Sequence, residues 1–411
     1  MVSPFLSLDV CYTGSTMQPY QRLDKEIPVV QHEGIFRKQI SLWQATALIV
    51  SGTIGAGVLG IPYAIAKIGV PLGLLYILSI GLLMMCMNLL LGEVALHSGE
   101  PLQLVGLAKK YLGRIGGGVM TVLSFTLLFG VLTVYIIGVG QSGATVFGGS
   151  ATVWSLGFFV IAAGLVSVGL RTIKTVELFL MLGLLTIVII LTFFGAGHIQ
   201  LDHWQYTDAA QLFFPYGILL FSFHATTAVP ETYSVIQNRE KTFHQAIILA
   251  SLIVMAVYVI FTLVVVGVTG RDTTEIATIG LGAALGRPLA ILGNLFAIFA
   301  MGTSFLMAGV ALRDSLRWDY HCPNGLATIF VCGVPLTVFL FGLRSFIGAI
   351  DLIGGLFMSG ELLLILLMYA RARRHIHHEG STVWSVPLLF LLSLLLLAFT
   401  VGAIYSFKKV F

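Results

Sequence analysis

Charged residues are scarce in this sequence: only 10% of its 411 residues are Asp, Glu, Lys or Arg, and 57% are hydrophobic. A soluble domain has about 25% charged residues, so water is not the main solvent of this chain. Cysteine is also rare, with four residues, and Cys86 and Cys332 fall in long apolar runs. These shortages exclude a soluble globular domain and a disulfide framework.

Motifs of catalysis and of nucleic-acid binding are missing as well. The sequence has no Cys/His spacing typical of a metal site, no nucleophile elbow and no phosphate-binding GxxxxGK[ST] loop. The net charge is +4, without a basic cluster interleaved with aromatic residues. An enzyme is therefore the least favoured class, and we expect no cofactor, no nucleic acid, and membrane lipid as the surrounding partner.

Long apolar runs recur from position 43 almost to the last residue. Each has about 20 residues, enough to cross a hydrocarbon core. They predict an all-α polytopic membrane protein, with a cytoplasmic tail over residues 1–42 and one transmembrane domain over residues 43–411. The eleven predicted spans are 43–69, 71–96, 117–141, 152–170, 175–196, 209–236, 244–269, 288–312, 325–343, 346–370 and 384–407.

The distribution of Lys and Arg predicts the orientation. With the N-terminus inside, 16 of the 22 Lys and Arg residues fall on cytoplasmic segments and six on the other side. Cytoplasmic loops carry such an excess of positive charge. We therefore predict a multi-pass protein of the cell membrane, with its N-terminus in the cytoplasm and its C-terminus outside.

Helix-breaking residues crowd the first predicted span, where residues 51–62 are SGTIGAGVLGIP. Each Gly costs a helix about 1 kcal/mol, and Pro cannot donate a backbone hydrogen bond. In lipid, unwound backbone survives only where protein buries it or where it lines a cavity. The pattern predicts a broken helix, and a close-packing surface of small residues is the alternative.

The sixth predicted span has a second such place, because residues 221–231 are FSFHATTAVPE. The two interruptions lie five spans apart, in the first and the sixth span, so residues 43–196 and 209–370 predict inverted repeats, with residues 384–407 as an extra helix. Broken helices at corresponding positions of two halves are the best sequence indication of a transporter's substrate site.

Two ionisable residues inside predicted spans are candidates for proton coupling, since buried charge is expensive. His224 lies in the second interruption, where it either accepts a proton or holds unwound carbonyls by hydrogen bonds. Glu361 lies near the middle of the tenth span, as a protonatable gate or as a carboxyl kept neutral by burial. Asp351 is nearer the end of that span, where we expect contact with water. Gate or packing roles stay open for Asn88, Glu93 and Glu231.

These motifs resemble a known family. Residues 52–62 resemble the first-helix signature of the amino acid/auxin permease group and of the bacterial tryptophan/tyrosine permeases, within the amino acid–polyamine–organocation superfamily. Further similarity covers residues 107–114, 221–224 with 229–230, and 303–305. The resemblance implies the leucine-transporter fold, a five-plus-five inverted repeat with broken helices 1 and 6, and symport of an amino acid with H⁺ or Na⁺.

The resemblance also implies which residues bind the substrate. Its carboxylate would meet free N–H groups at Gly55, Ala56 and Gly57, and half-helix N-termini suit an anion. Its amino group would meet backbone carbonyls, with aromatic walls nearby and His224 in the same break. The carbonyls belong to Ser51, Gly52, Phe221 and Ser222, and the walls are Phe223 and Tyr135.

The family's sodium position implies five oxygen ligands between the first and eighth helices. These are the carbonyls of Ser51, Ile54 and Ala300 and the hydroxyls of Thr303 and Ser304. Hydroxyls in membrane helices also commonly bond back to their own backbone. The fifth span has no Lys in place of Na⁺, whereas bacterial aromatic permeases are regarded as proton symporters, so the coupling ion stays open.

Two functions remain open from the sequence. One is a transporter that imports a neutral or aromatic amino acid by alternating access, since neither break core holds an acidic residue. The other is an amino-acid sensor that binds substrate without net transport. A channel is disfavoured because nothing resembles a repeated pore filter, and a monomer is the default oligomeric state.

Overall fold

The structure is a computed structural model that describes residues 41–100, 102–168, 173–236, 239–319, 322–376 and 386–410. The predicted tail therefore lies almost wholly outside the described residues. Within these ranges the fold is helical throughout, with 15 α-helices. They are α1 (Leu42–Thr53), α2 (Gly57–Ile68), α3 (Val70–Ser98), α4 (Leu104–Phe147), α5 (Ala151–Val168), α6 (Ile173–Ala196), α7 (Tyr216–Ser222), α8 (Ala228–Ile236), α9 (Glu240–Thr269), α10 (Ala277–Leu285), α11 (Arg287–Asp319), α12 (Asn324–Leu340), α13 (Phe346–Leu352), α14 (Ser359–Ile376) and α15 (Val386–Val410).

Several of these helices are long and apolar enough to cross a membrane. Five segments meet the length and composition of a span, and the bent pair α1–α2 makes a sixth. Shorter apolar stretches lie in α5, α6, α12 and α15. The protein is thus polytopic and all-α, and each of the predicted spans coincides with one helix or a consecutive group of helices. The five segments are Val70–Ser98, Leu104–Phe147, Glu240–Asp272, Arg287–Arg313 and Phe346–Arg373.

The first interruption lies where the sequence predicts it. The axes of α1 and α2 differ by 61° across the break. Ile54 ends the α1 turn with an N–H···O bond of 2.8 Å to the carbonyl of Val50 and then takes an extended conformation. Pro62 lies inside α2 and leaves the carbonyl of Val58 without its helical donor.

The second interruption separates α7 from α8. Residues 223–227 are not helical, and the helix resumes at Ala228. The first half of each interrupted helix packs against the second half of the other, α1 against α8 and α2 against α7. The two interrupted helices therefore run antiparallel and meet at their breaks.

Two glycines allow this crossing. A Cβ added at Gly52 would lie 2.6 Å from the Cβ of Ala228, and one at Gly57 would lie 2.5 Å from the Oγ of Ser222. Neither distance leaves room for a methyl group. At these two positions the small residues therefore have both roles: they allow close packing, which was the alternative interpretation, and they lie beside the break.

A π-helical segment over Ile353–Met358 joins α13 to α14 and crosses α7. Here the backbones approach so closely that a Cβ at Gly354 would overlap the carbonyl of Gly217. Our expectation that Asp351 contacts water was wrong, because this residue is only 9% exposed. Its Oδ1 occupies the space beside the absent Cβ of Gly217.

The contact between the breaks yields a stability prediction. Gly57→Ala places a methyl group against Ser222, so we expect a loss of about 1–3 kcal/mol, as for other overpacked cores. Gly164→Ala in α5 is the matched control, because a Cβ there meets nothing within 4 Å and Ala is favoured in helices by about 0.5–1 kcal/mol. Thermal unfolding of the detergent-solubilised variants tests this, and equal melting temperatures for the two would contradict it.

Candidate functional site

A buried tyrosine joins the two interruptions. Tyr258 on α9 is fully buried, and its hydroxyl lies 2.7 Å from the carbonyl oxygen of Ser222 and 3.4 Å from that of Thr53. These residues end α7 and α1, where the last carbonyls have no donor further along the helix. The single phenolic proton is donated over the shorter distance to Ser222, with Thr53 as the second acceptor within reach.

The beginning of α2 presents backbone donors at the same crossing. Because this helix starts at Gly57, the N–H groups of its first turn have no carbonyl one turn earlier. The N–H of Leu59 bonds to the carbonyl of Ala56 at 3.1 Å. Tyr135 is only 8% exposed, and its hydroxyl lies 3.9 Å from where a Cβ of Gly55 would be. The structure therefore brings Tyr135 on α4 to the break that holds Gly55, Ala56 and Gly57.

The serine hydroxyls at the breaks are occupied by their own helices. The Oγ of Ser51 donates to the carbonyl of Leu48 at 3.0 Å, and the Oγ of Ser222 donates to that of Ile218 at 2.7 Å. What these serines can offer a substrate is thus mainly backbone carbonyl oxygen. Gly52 lies in the last turn of α1, where carbonyls also lack helical donors.

The two phenylalanines of the second break point into different packing environments. Phe223 packs edge-on against Tyr258, with ring centroids 4.9 Å apart, and its ring reaches Gly81 of α3. Phe221 lies against the π-helical segment, near Gly354. Both are buried, so Phe223 closes the α3 and α9 side of the break and Phe221 the α14 side.

A small cavity of about 10 Å³ lies behind Phe223. Asn88 and Thr53 contribute to its lining, and the Oδ1 of Asn88 has no hydrogen-bond partner within the described part of the chain. The volume suits a single water molecule. An amino-acid side chain does not fit there.

Three polar side chains meet where the second break contacts α14. The Nε2 of His224 lies 2.9 Å from the Oε1 of Glu361, and the Oγ1 of Thr226 lies 2.5 Å from the same oxygen and 2.6 Å from Nε2. Glu361 is 2% and Thr226 1% exposed. An ionised Glu361 accepts from both neighbours, so the cluster is a buried acid–base pair supported by one hydroxyl.

Sequence reasoning named His224 and Glu361 separately and overlooked Thr226 and Tyr258. The sequence feature that could have identified Thr226 is its polar side chain inside the second break. Nothing local distinguishes Tyr258 from other aromatic residues of an apolar span. Its importance comes only from the two carbonyls that α9 brings to it.

The predicted sodium ligands lie on α1, on Ile54 directly after it, and on α11. In the described part of the chain, α11 packs chiefly against α4, α10 and α6. The side chain of Thr303 lies outside what the structure describes, and Ala300 and Ser304 lie on the same helix. The sodium site therefore stays a prediction.

An open depression of about 630 Å³ lies where α4 ends and α5 begins. Gln141 on its wall is six residues beyond Tyr135, which is about 9 Å along a helix. Glu275 and Arg344 bring both signs of charge to it. The lining residues are Gln141, Ala144, Thr145, Ala151, Thr274, Glu275, Ile276, Ile279, Arg344 and Ser345.

A multi-pass helical bundle with two interrupted helices that cross at their breaks is the architecture of a membrane permease. Residues 38–405 match the model of the tryptophan/tyrosine permease family, and the chain belongs to this family. This confirms the resemblance inferred from the motifs. The protein is accordingly a member of an amino-acid transporter family and not an enzyme.

Individual relatives agree with this membership. The chain is 28% identical over 322 residues to glutamine transporter 2 of Aliivibrio fischeri, covering 73% of this chain and 81% of the relative. It is 25% identical over 383 residues to tyrosine-specific transport system 1 of Haemophilus influenzae, covering 85% and 93%. Tyrosine-specific transport system 2 of the same organism is 28% identical over 345 residues, covering 75% and 82%.

The tyrosine between the breaks yields a second prediction. Tyr258→Phe removes the donor and leaves a buried carbonyl unpaired, so we expect a loss of about 1–3 kcal/mol in stability. Tyr405→Phe is the control, because it removes the same hydroxyl group from a ring that stacks on Phe213, with ring centroids 5.1 Å apart. Thermal unfolding in detergent compares the two, and an unchanged melting temperature for Tyr258→Phe would argue against the bridging role.

Proposed function

We propose that this protein is a secondary active transporter that imports a neutral or aromatic amino acid by symport and alternating access. The observation that carries the proposal is the contact between two interrupted helices, with carbonyls from α1 and α7 and donors from α2 at one place. A zwitterion needs acceptors for its ammonium group and donors for its carboxylate. The names of the relatives, glutamine and tyrosine transporters, favour an uncharged side chain.

The substrate carboxylate binds the N–H groups of Gly55, Ala56 and Gly57, where the positive end of α2 favours an anion. The ammonium group binds carbonyls of Ser51, Gly52, Phe221 and Ser222. Tyr135 and Phe223 close the site on two sides. The open depression near Gln141 is the approach from the side at which α4 ends.

The antiparallel crossing of the breaks supports a five-plus-five inverted repeat of the leucine-transporter type. Residues 43–196 and 209–370 form the repeats within one domain of eleven spans, and residues 384–407 add a helix. The charge distribution supports a cytoplasmic N-terminus and an outer C-terminus.

Proton coupling is favoured by the His224–Glu361 contact. An ionised Glu361 accepts charge-assisted hydrogen bonds from His224 and Thr226, and such bonds are about twice as strong as neutral ones. These bonds hold the second break to α14. A proton taken up by Glu361 weakens both, so protonation frees the break to rearrange around its substrate.

The function is tested by uptake into liposomes that contain only this protein. A panel of labelled neutral and aromatic amino acids is offered with a pH gradient and a Na⁺ gradient imposed separately. We expect accumulation with the pH gradient alone. Accumulation that follows Na⁺ and disappears in Thr303→Ala/Ser304→Ala would instead establish the oxygen site of α1 and α11, and binding without accumulation under any gradient would make the protein a sensor.

The coupling pair has its own prediction. Glu361→Gln keeps the shape of the side chain and removes its charge, so we expect accumulation driven by the pH gradient to be lost while exchange of labelled for unlabelled substrate persists. Glu100→Gln is the control, because its carboxylate is 59% exposed in a pair with Lys110. Full pH-driven accumulation by Glu361→Gln would remove this residue from the coupling mechanism.

A further inference from the structure

Two Glu-x-x-x-His pairs face each other where α3 ends and α9 begins. Glu93 and His97 lie on α3, and Glu240 and His244 lie on α9. This spacing puts both members of a pair on one helix face. The Nε2 of His244 lies 3.0 Å from the Oε1 of Glu93, and ligand atoms of Glu93, Glu240 and His244 all lie within 4.8 Å of one another.

A glycine brings the two helices together at this point. A Cβ at Gly92 would lie 2.9 Å from the Cδ1 of Ile247 and 3.2 Å from the Cε1 of Phe243. The neighbouring Glu93 is thereby carried against His244, on the same stretch of α9. The pair is set by helix packing and does not depend on a flexible surface contact.

The hydrogen bonding of His244 leaves one nitrogen facing a carboxylate. Its Nδ1 lies 3.0 Å from the carbonyl oxygen of Glu240, to which the Nδ1–H tautomer donates. In neutral imidazole the Nε2 then holds a lone pair, which faces the Oε1 of Glu93. The contact accommodates a positive species between the two atoms, which is either a proton or a metal cation.

We propose that the positive species is a divalent transition-metal cation, with Zn²⁺ the best fit. The Nε2 of His244 and carboxylate oxygens of Glu93 and Glu240 supply three ligands, and water completes the four that Zn²⁺ prefers. Two carboxylates and a neutral imidazole balance a dication. An imidazole ligand suits Zn²⁺ better than Mg²⁺ or Ca²⁺, which take oxygen ligands.

The surroundings of the cluster fit this assignment. A metal-bound His ordinarily donates the N–H of its other ring nitrogen to a backbone carbonyl or carboxylate. The Nδ1 of His244 faces the carbonyl of Glu240 in this way. The Nδ1 of His97 lies 2.8 Å from the carbonyl oxygen of Glu93 and 3.4 Å from the Oε2 of the same residue, so a second imidazole lies beside that ligand. Glu240 is exposed and opens the cluster to water. The positive end of α9 by itself stabilises the charge of Glu240. A bound cation is therefore supported by the contact between Glu93 and His244.

A bound ion fastens the end of α3 to the beginning of α9. His244 precedes Tyr258 by fourteen residues on the same helix, which is about 21 Å. The ion therefore stabilises the helix that bridges the two breaks without touching the substrate. This site does not depend on the proposed transport activity.

The test uses the full chain purified without an affinity tag and titrated with Zn²⁺, with melting temperature and bound metal as readouts. We expect about one ion per chain, a rise in melting temperature, and visible d–d absorption when Co²⁺ replaces Zn²⁺. Affinity should fall by at least ~10–100-fold in His244→Ala and in Glu93→Gln, since even outer partners of a metal site cost that much.

His198→Ala is the matched control and should bind as the wild type does. The Nδ1 of His198 lies 3.1 Å from the carbonyl oxygen of Phe194, four residues earlier, just beyond the end of α6. Glu93→Gln is nearly isosteric and answers the question if His244→Ala does not fold. Absence of Zn²⁺ binding by the wild type, or binding that survives both substitutions, would overturn the proposal and leave an imidazolium–carboxylate pair.

Discussion

In hydrocarbon, an N–H or C=O group without a partner costs several kcal/mol, and the arrangement of this protein depends on that cost. Two helices stop partway through the bundle and leave backbone groups unpaired at four helix ends. Such ends survive in a membrane only when other parts of the protein or a ligand satisfy them. The crossing of the breaks and the buried Tyr258 are both answers to this requirement.

The crossing gathers opposite kinds of backbone group in one place. Tyr258 satisfies a carbonyl of α7 and lies within reach of one from α1, whereas the N–H groups of the first residues of α2 have no carbonyl one turn earlier in their helix. In the proposed transporter, the substrate completes the hydrogen bonding at this crossing. Gly52 and Gly57 lie at the crossing, where the absence of a side chain allows the close contact between the helices. The same two residues also favour the break in α1–α2.

Ionisable groups are kept at the contacts between helices. His224 and Glu361 join the second break to α14, and Glu93 and His244 join α3 to α9. Each pair links two segments that are far apart in the sequence by a contact between an imidazole and a carboxyl group. Membership of the tryptophan/tyrosine permease family places the protein among amino-acid transporters, and these pairs are where coupling and control are open to experiment.

The sequence by itself determined the membrane class, the positions of the apolar helices and both interruptions. Those features follow from local chemistry, because apolar length, Gly and Pro act on the segment that contains them. Only the tertiary structure decided that Glu361 meets His224 across 137 residues, that Glu93 meets His244 across 151, and that Asp351 is buried. It also decided that Tyr258 bridges the breaks. These outcomes depend on which helices cross and how closely glycines let them approach, and no local pattern specifies that.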